Sequence, residues 1–210
     1  MFSKRLIEPP KGKKATKTED VVISVCGMAG SGKSTQARKL AEKYRLKFFS
    51  GGDALKALAL KEGFKPLNYG WWESREGMRF LKVRSVDQKY DKKVDEMLLE
   101  VADEGNVVLD SWTMPWLLKR GFKIWLEASA EKRAERIAQR DRMPVVNALK
   151  ALKAKEKRTK MIYKRLYGFK LGEDFEPFHF ILDTESLSSD EVFHVLCSVI
   201  DNTVLRSTVS

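Results

Sequence analysis

The sequence predicts an α/β protein organised on a parallel sheet, and three observations carry that prediction. Five short apolar runs, at residues 21–26, 46–50, 106–110, 122–127 and 178–184, are separated by stretches with helical spacing. The first run, Val21-Val22-Ile23-Ser24-Val25-Cys26, is apolar almost throughout, which suits the buried centre of a parallel sheet rather than a half-exposed hairpin. That run passes directly into a glycine-rich stretch and then into an amphipathic helix, a strand-loop-helix unit of the α/β kind.

Length and composition narrow the class further. No Pro/Gly/Ser-rich linker interrupts the 210 residues, so one domain with an insertion is expected. The longest apolar run is far short of a membrane span and no secretory leader is apparent, so the expected setting is the cytoplasm, away from membranes. Cys26 in a strand and Cys197 in a helix fit as buried apolar residues of a reducing compartment. A net charge of +11 attracts polyanions, yet a nucleotide site and a densely charged surface also use cations, and no RNA-reading motif accompanies the excess. Residues 1–20, with Lys4, Arg5, Lys11, Lys13, Lys14 and Lys17 around Pro9 and Pro10, read as a flexible basic arm, and residues 21–210 as the folded domain, a monomer.

The first strand leads into Gly27-Met28-Ala29-Gly30-Ser31-Gly32-Lys33-Ser34-Thr35, a phosphate-binding P-loop by its G-x-x-x-x-G-K-S spacing. Gly27, Gly30 and Gly32 let successive backbone N–H groups converge on phosphate oxygens, and the helix beginning near Lys33 adds its positive end. The spacing assigns Lys33 to the outer phosphates of a triphosphate such as ATP and the Ser34 hydroxyl to a Mg2+ ion held with the nucleotide. Ala29, Ser31 and Thr35 complete the loop. The helix, residues 33–44, buries Ala37, Leu40, Ala41 and Tyr44 on one face.

A second strand over residues 46–50 closes at Gly51-Gly52, with Asp53 as the expected N-cap of a helix through Leu60. Loops after parallel strands lie at the carboxyl edge of the sheet, so Asp53 and Lys56 are candidates for contact with a second substrate, a role compatible with capping. From Gly63 to Tyr90 the helical period fails, and the aromatic, glycine-rich and charged stretch 66–80 reads as a substrate-facing insertion. Its Trp71-Trp72 pair either stacks on a base or sugar or staples the insertion to the core, and Arg75, Arg79 and Arg84 are candidate phosphate or base contacts. A helix over residues 91–103 is expected to bury Val94, Leu98 and Val101.

The third strand ends in Asp110, and an acid at the end of an apolar strand downstream of a P-loop strand is a Walker B pattern that can orient magnesium or accept a proton. After the fourth strand, residues 131–142 carry Arg133, Arg136 and Arg140 on one helical face. Arginines so aligned either clamp a phosphoryl group in flight or pair with Glu131 and Glu135. Residues 144–167 form a long helical pattern with Lys150, Lys153, Lys155, Lys157, Arg158, Lys160, Lys164 and Arg165, which is half of a lid over phosphates or a groove for a polyanion. The fifth strand contains His179, expected to be structural, and a capped helix from residue 189 to about 205 packs Val192, Val195, Leu196 and Val199.

Together these blocks resemble the P-loop nucleoside monophosphate kinases, closest to the archaeal type of cytidylate kinase, from about Val21 to Asp201. Beyond the P-loop, the matching residues are Ser50-Gly51-Gly52-Asp53, Val94-Asp95, 105–110, Lys123-Ile124-Trp125-Leu126, 133–138, Tyr167-Gly168 and Leu182-Asp183-Thr184. The resemblance implies the P-loop NTPase three-layer sandwich, a five-stranded parallel sheet of order 2-3-1-4-5, an acceptor-binding region at 53–104 and a lid region at 136–168. It implies γ-phosphoryl transfer from ATP to CMP or dCMP, with Lys33, Arg136 and Arg140 stabilising the transferring group and Ser34 with Asp110 managing Mg2+. Arg133 would join the donor site, and Asp53, Lys56, Arg84 and Asp95 would border the acceptor.

The chain departs from that pattern on the acceptor side. Ser111-Trp112 stands where the family usually has Gly-Arg, and Lys155 and Ile162 stand near positions that usually hold lid arginines, as Lys56 does for another. A lysine supplies a point charge in place of a bidentate fork, and Ile162 or Trp112 supplies none. Trp112 is therefore placed in a remade acceptor pocket. The alternative readings are a P-loop kinase with another acceptor (another nucleotide, a small metabolite or RNA) and an ATP-gated RNA-binding protein using the basic lid and arm.

Overall fold

A computed structural model describes residues 20–67 and 70–205. The basic arm, apart from Asp20, lies outside the described residues, as do positions 68–69 of the expected insertion. β1 (Val22–Gly27), β2 (Lys47–Ser50), β3 (Val107–Asp110), β4 (Phe122–Glu127) and β5 (Phe180–Asp183) form one sheet in the order β2-β3-β1-β4-β5. Every neighbouring pair is parallel. The order and direction are those the resemblance implies.

Side-chain alternation along the central strands builds the three layers. Ile23, Val25 and Val108 point to one face, where α1 (Lys33–Tyr44) and α8 (Ser189–Thr203) cover them with Leu40, Leu196 and Ile200. Val22, Val107 and Leu109 point to the other, under α2 (Gly51–Lys61) and α4 (Lys89–Glu104), which contribute Leu55 and Leu98. α8 is closed at its start by a reciprocal capping box between Ser188 and Glu191. Its buried stripe is Val192, Leu196, Cys197 and Ile200, so Val195 and Val199, expected inside, lie at the margin.

Three further local expectations are corrected. The cap of α2 is Ser50, whose hydroxyl accepts from the Asp53 N–H; Asp53 is one turn further in, where its charge favours the helix start. The stretch expected to be irregular is largely helical, with a 3₁₀ turn at Trp71–Glu73 followed by α3 (Arg75–Val86). Its inward face is Gly77, Phe80, Leu81 and Arg84, spaced as a helix requires, but a glycine and an arginine in that face hide the apolar period. A Cβ at Gly77 would lie 2.2 Å from the Trp71 carbonyl oxygen, so only glycine lets α3 sit this close to the 3₁₀ turn. In α4 likewise, Ala102 rather than Val101 completes the buried stripe.

α5 (Met114–Leu117) is a single turn after β3, α6 (Ala130–Asp141) follows β4, and α7 (Val145–Tyr167) packs along α6 and α3. α7 buries Ala148, Leu152, Lys155, Thr159, Ile162 and Tyr163 and leaves its lysine-rich side in solvent. His179 is structural: its Nδ1 accepts from the Lys123 N–H at 3.0 Å and its ring stacks on Phe122. Among the described residues, no helix is long and apolar enough to cross a membrane.

Candidate active site

The carboxyl ends of β1, β2 and β3 bring Gly27, Ser50 and Asp110 to one edge of the sheet. There the loop from Gly27 to Gly32 folds back on itself with φ of +148° at Gly27, +82° at Gly30 and +91° at Gly32. At Gly30 a side chain would strike the Arg133 carbonyl oxygen at 2.6 Å, whereas a Cβ at Gly32 would meet nothing within 4 Å. The loop is thus pressed against α6 at one glycine and open at another. The Ser31 hydroxyl is buried without a hydrogen-bond partner in the loop, an unmet donor of the kind an anion satisfies.

The loop forms one wall of a cavity of about 300 Å³. Of the residues the sequence singled out, Ala29, Gly30, Lys33, Ser34, Asp53, Arg84, Asp95, Asp110, Trp112 and Arg140 line it. Asp110 is 4% exposed and accepts from the Ser50 hydroxyl at 3.3 Å. Asp53 is exposed and pairs with Arg38 at 2.7 Å. The Trp112 indole N–H donates to the Gly27 carbonyl at 2.6 Å, with the Lys33 ammonium 5.3 Å from the ring centre. Gly27 thus takes part through its backbone from just behind the wall, and Ser31, Gly32 and Thr35 belong to the loop without lining the cavity.

The three aligned arginines part company. Arg133 is buried beneath the P-loop: it donates to the carbonyls of Ala128 at 2.9 Å and Ala29 at 3.1 Å and pairs with Glu156. It braces the loop from beneath and does not itself line the cavity. Arg136, offset around the helix toward β5, donates to the Thr184 carbonyl at 2.6 Å and its hydroxyl at 3.1 Å, so it too is off the wall. Arg140 alone faces the cavity. Lys56 lies outside the lining as well, with its ammonium 6.0 Å from the Trp71 ring centre.

A network of buried polar groups also lines the cavity. Arg84 and Asp91 form a two-pronged pair at 2.5 and 3.0 Å, both nearly inaccessible. Asp95 accepts from the Thr113 hydroxyl at 2.5 Å and the Tyr167 hydroxyl at 2.6 Å. Burial pushes its carboxyl up to about 6 although both donors pull it down. The tryptophan pair divides its roles: Trp71 is 3% exposed and donates to the Lys65 carbonyl at 2.8 Å, while Trp72 turns to the cavity.

Sequence reasoning did not find Glu73, and it noted Lys155 as one of the basic residues of the lid helix and as a substitute for a lid arginine. The buried Glu73 carboxylate accepts from Lys155 at 3.1 Å and from Arg140 at 3.3 Å. The Lys155 ammonium sits 5.2 Å from the Trp72 ring centre and 5.8 Å from that of Trp112, and burial lowers its pKa against the pull of Glu73. A lone acid after two tryptophans carries no motif that would have marked it.

Ser34 and Asp110 present hard oxygen donors to one cavity, which suits Mg2+. Among the described residues no group of three or more His, Cys, Asp or Glu side chains could hold a metal.

Solved structures share this architecture. Shikimate kinase from Acinetobacter baumannii matches with a TM-score of 0.52 and 21% identity over 89% of this chain and 96% of its own. Deoxyadenosine kinase from M. mycoides matches with a TM-score of 0.52 and 16% identity over 86% of this chain and 100% of its own. At those identities the likeness speaks for the fold. The fold is that of the P-loop kinases, and what makes the molecule an ATP-dependent phosphotransferase is its family. Residues 22–186 match the Cytidylate kinase-like family, and the chain belongs to that family. It is 32% identical to the cytidylate kinase of Pyrococcus horikoshii over 185 residues, covering 88% of this chain and 90% of the relative. The cytidylate kinase of Methanocaldococcus jannaschii is also 32% identical, over 187 residues, 87% of this chain and 98% of the relative.

Proposed function

We propose that the protein transfers the γ-phosphoryl group of ATP to CMP or dCMP, giving ADP and CDP or dCDP, as a cytoplasmic monomer. The observation that carries the reading is that the P-loop lysine and a buried cluster of Arg84, Asp91 and Asp95 line one cavity. A phosphate-binding wall and a hydrogen-bonding wall so placed suit a triphosphate and a polar base. An oxygen of the acceptor phosphate attacks the γ-phosphorus, the bond to the β–γ bridging oxygen breaks, and ADP leaves with the electron pair.

Backbone N–H groups of the P-loop and the start of α1 hold the donor phosphates. Lys33 and Arg140 offset the charge that spreads over the transferring group. Ser34 and Asp110 would hold a nucleotide-borne Mg2+, which supplies further charge neutralisation at the phosphates. Asp95 and Arg84 border the base. Trp112 anchors the P-loop at Gly27 and closes the side on which the family pattern has an arginine.

A coupled assay with ATP and a panel of monophosphates tests the reading, and the absence of CMP- or dCMP-dependent ADP release above background would overturn it. Lys33→Ala is expected to lower turnover by about 10²–10³-fold or more with the far-ultraviolet spectrum unchanged. Lys150, Lys153, Lys157 and Lys164 are exposed along one side of α7 at spacings of three, four and seven, which suits weak binding of a nucleic acid backbone. That affinity is expected to fall steeply between 50 and 200 mM salt, and no binding at low salt would remove it.

A further inference from the structure

Besides the buried Arg84, the cavity lining brings together the cationic side chains of Lys33, Arg140 and Lys155. The Lys33 and Lys155 ammonium groups lie 5.3 and 5.8 Å from the centre of the same indole, Trp112. Lys33 and Arg140 both act to lower the pKa of Lys155, so the mutual repulsion is felt where they meet. Cationic groups that share one cavity repel one another. Glu73 offsets that repulsion, and it is rigidly placed: the turn it occupies is fixed on one side by the core-packed Trp71 and on the other by Ser74, which caps α3. From there its carboxylate takes Arg140 of α6 and Lys155 of α7. Arg140 has a second carboxylate in Asp141 at 2.6 Å, whereas among the described residues Glu73 is the carboxylate bonded to Lys155.

We propose that Glu73 is a built-in competitor of phosphate. Its carboxylate holds Lys155 and Arg140 together in the free protein, and nucleotide phosphates must displace it to recruit them. The competition sets phosphate affinity and restrains ATP hydrolysis when no acceptor is present, because the cations that would stabilise transfer to water stay engaged by Glu73. Glu73 is a positioning residue: it acts on the reaction through Lys155 and Arg140. The proposal rests on the reading that this cavity takes nucleotide phosphates.

The decisive variant is Glu73→Gln, which keeps the size of the side chain and one acceptor oxygen but removes the charge. Calorimetric titration with tripolyphosphate, which carries no base, tests Glu73 whether or not CMP is the acceptor. The variant is expected to bind tripolyphosphate about five- to tenfold more tightly than the unaltered protein, since the binding-competent fraction rises. Acceptor-independent ATP hydrolysis is expected to rise several-fold, and the KM for the acceptor to fall more than kcat changes. A Glu73 that only ties the turn to α6 and α7 gives the opposite, because removing its charge leaves the cations misplaced. Unchanged or weaker tripolyphosphate binding by the folded variant would therefore overturn the proposal. Should Glu73→Gln fail to fold, Glu73→Asp keeps the charge one methylene further from both cations. It is expected to tighten tripolyphosphate binding about two- to threefold, and unchanged or weaker binding would overturn the proposal equally.

Discussion

At the scale of single residues, burial decides which charges remain available. Asp95 titrates near 3.9 in an unfolded chain and at about 6 in the fold, chiefly because it is buried. Between those values the folded protein keeps a proton that the unfolded chain has lost. The resulting contribution to stability is complete below about pH 4 and disappears as pH rises through 6. Relative to Asp95→Asn, the unaltered protein is expected to lose about 2–3 kcal/mol between pH 4 and 7 in urea unfolding, and a gain over that range would contradict the assignment. Arg133 shows the other outcome of burial: Arg133→Met would leave Glu156 without its partner and the Ala29 carbonyl without its donor, costing about 3–5 kcal/mol. Its brace was not legible because Arg133, Arg136 and Arg140 share a spacing, and spacing alone does not say which neighbour each guanidinium meets. Lys33, Ser34 and Asp110 were legible since their motif fixes both residue type and backbone position.

Elements were read best where one face is uniformly apolar. α1 and β4 begin and end where the sequence places them, because Ala37, Leu40 and Ala41 in one and Ile124, Trp125 and Leu126 in the other leave no competing period. α3 was lost for a physical reason: its buried face contains Gly77, needed for contact with the 3₁₀ turn, and Arg84, paired with Asp91. Gly77→Ala is accordingly expected to destabilise the protein by about 3 kcal/mol in chemical denaturation, although alanine is the better helix former. A neutral or stabilising result would mean that the turn carrying Glu73 can move away freely.

For the whole molecule, the sheet edge gathers the P-loop, Ser50 and Asp110, and α7 adds Lys155 and Tyr163 to the lining of the same cavity. Ligand binding should therefore be felt by the entire fold. ATP at one hundred times its Kd is expected to add about 2.7 kcal/mol, raising Tm by about 5–10 °C in scanning calorimetry, and Lys33→Ala should abolish most of that shift. A Tm unmoved by ATP would argue against a donor site at the P-loop. The bond between the Trp112 indole and the Gly27 carbonyl has a consequence for observation as much as for architecture. An indole fixed to the phosphate loop, flanked by Lys33 and Lys155, is an optical reporter embedded in the protein. Its emission should respond to any rearrangement of those charges on a stopped-flow timescale, without a label, and Trp112→Phe should silence that component of the signal while the other four tryptophans continue to emit.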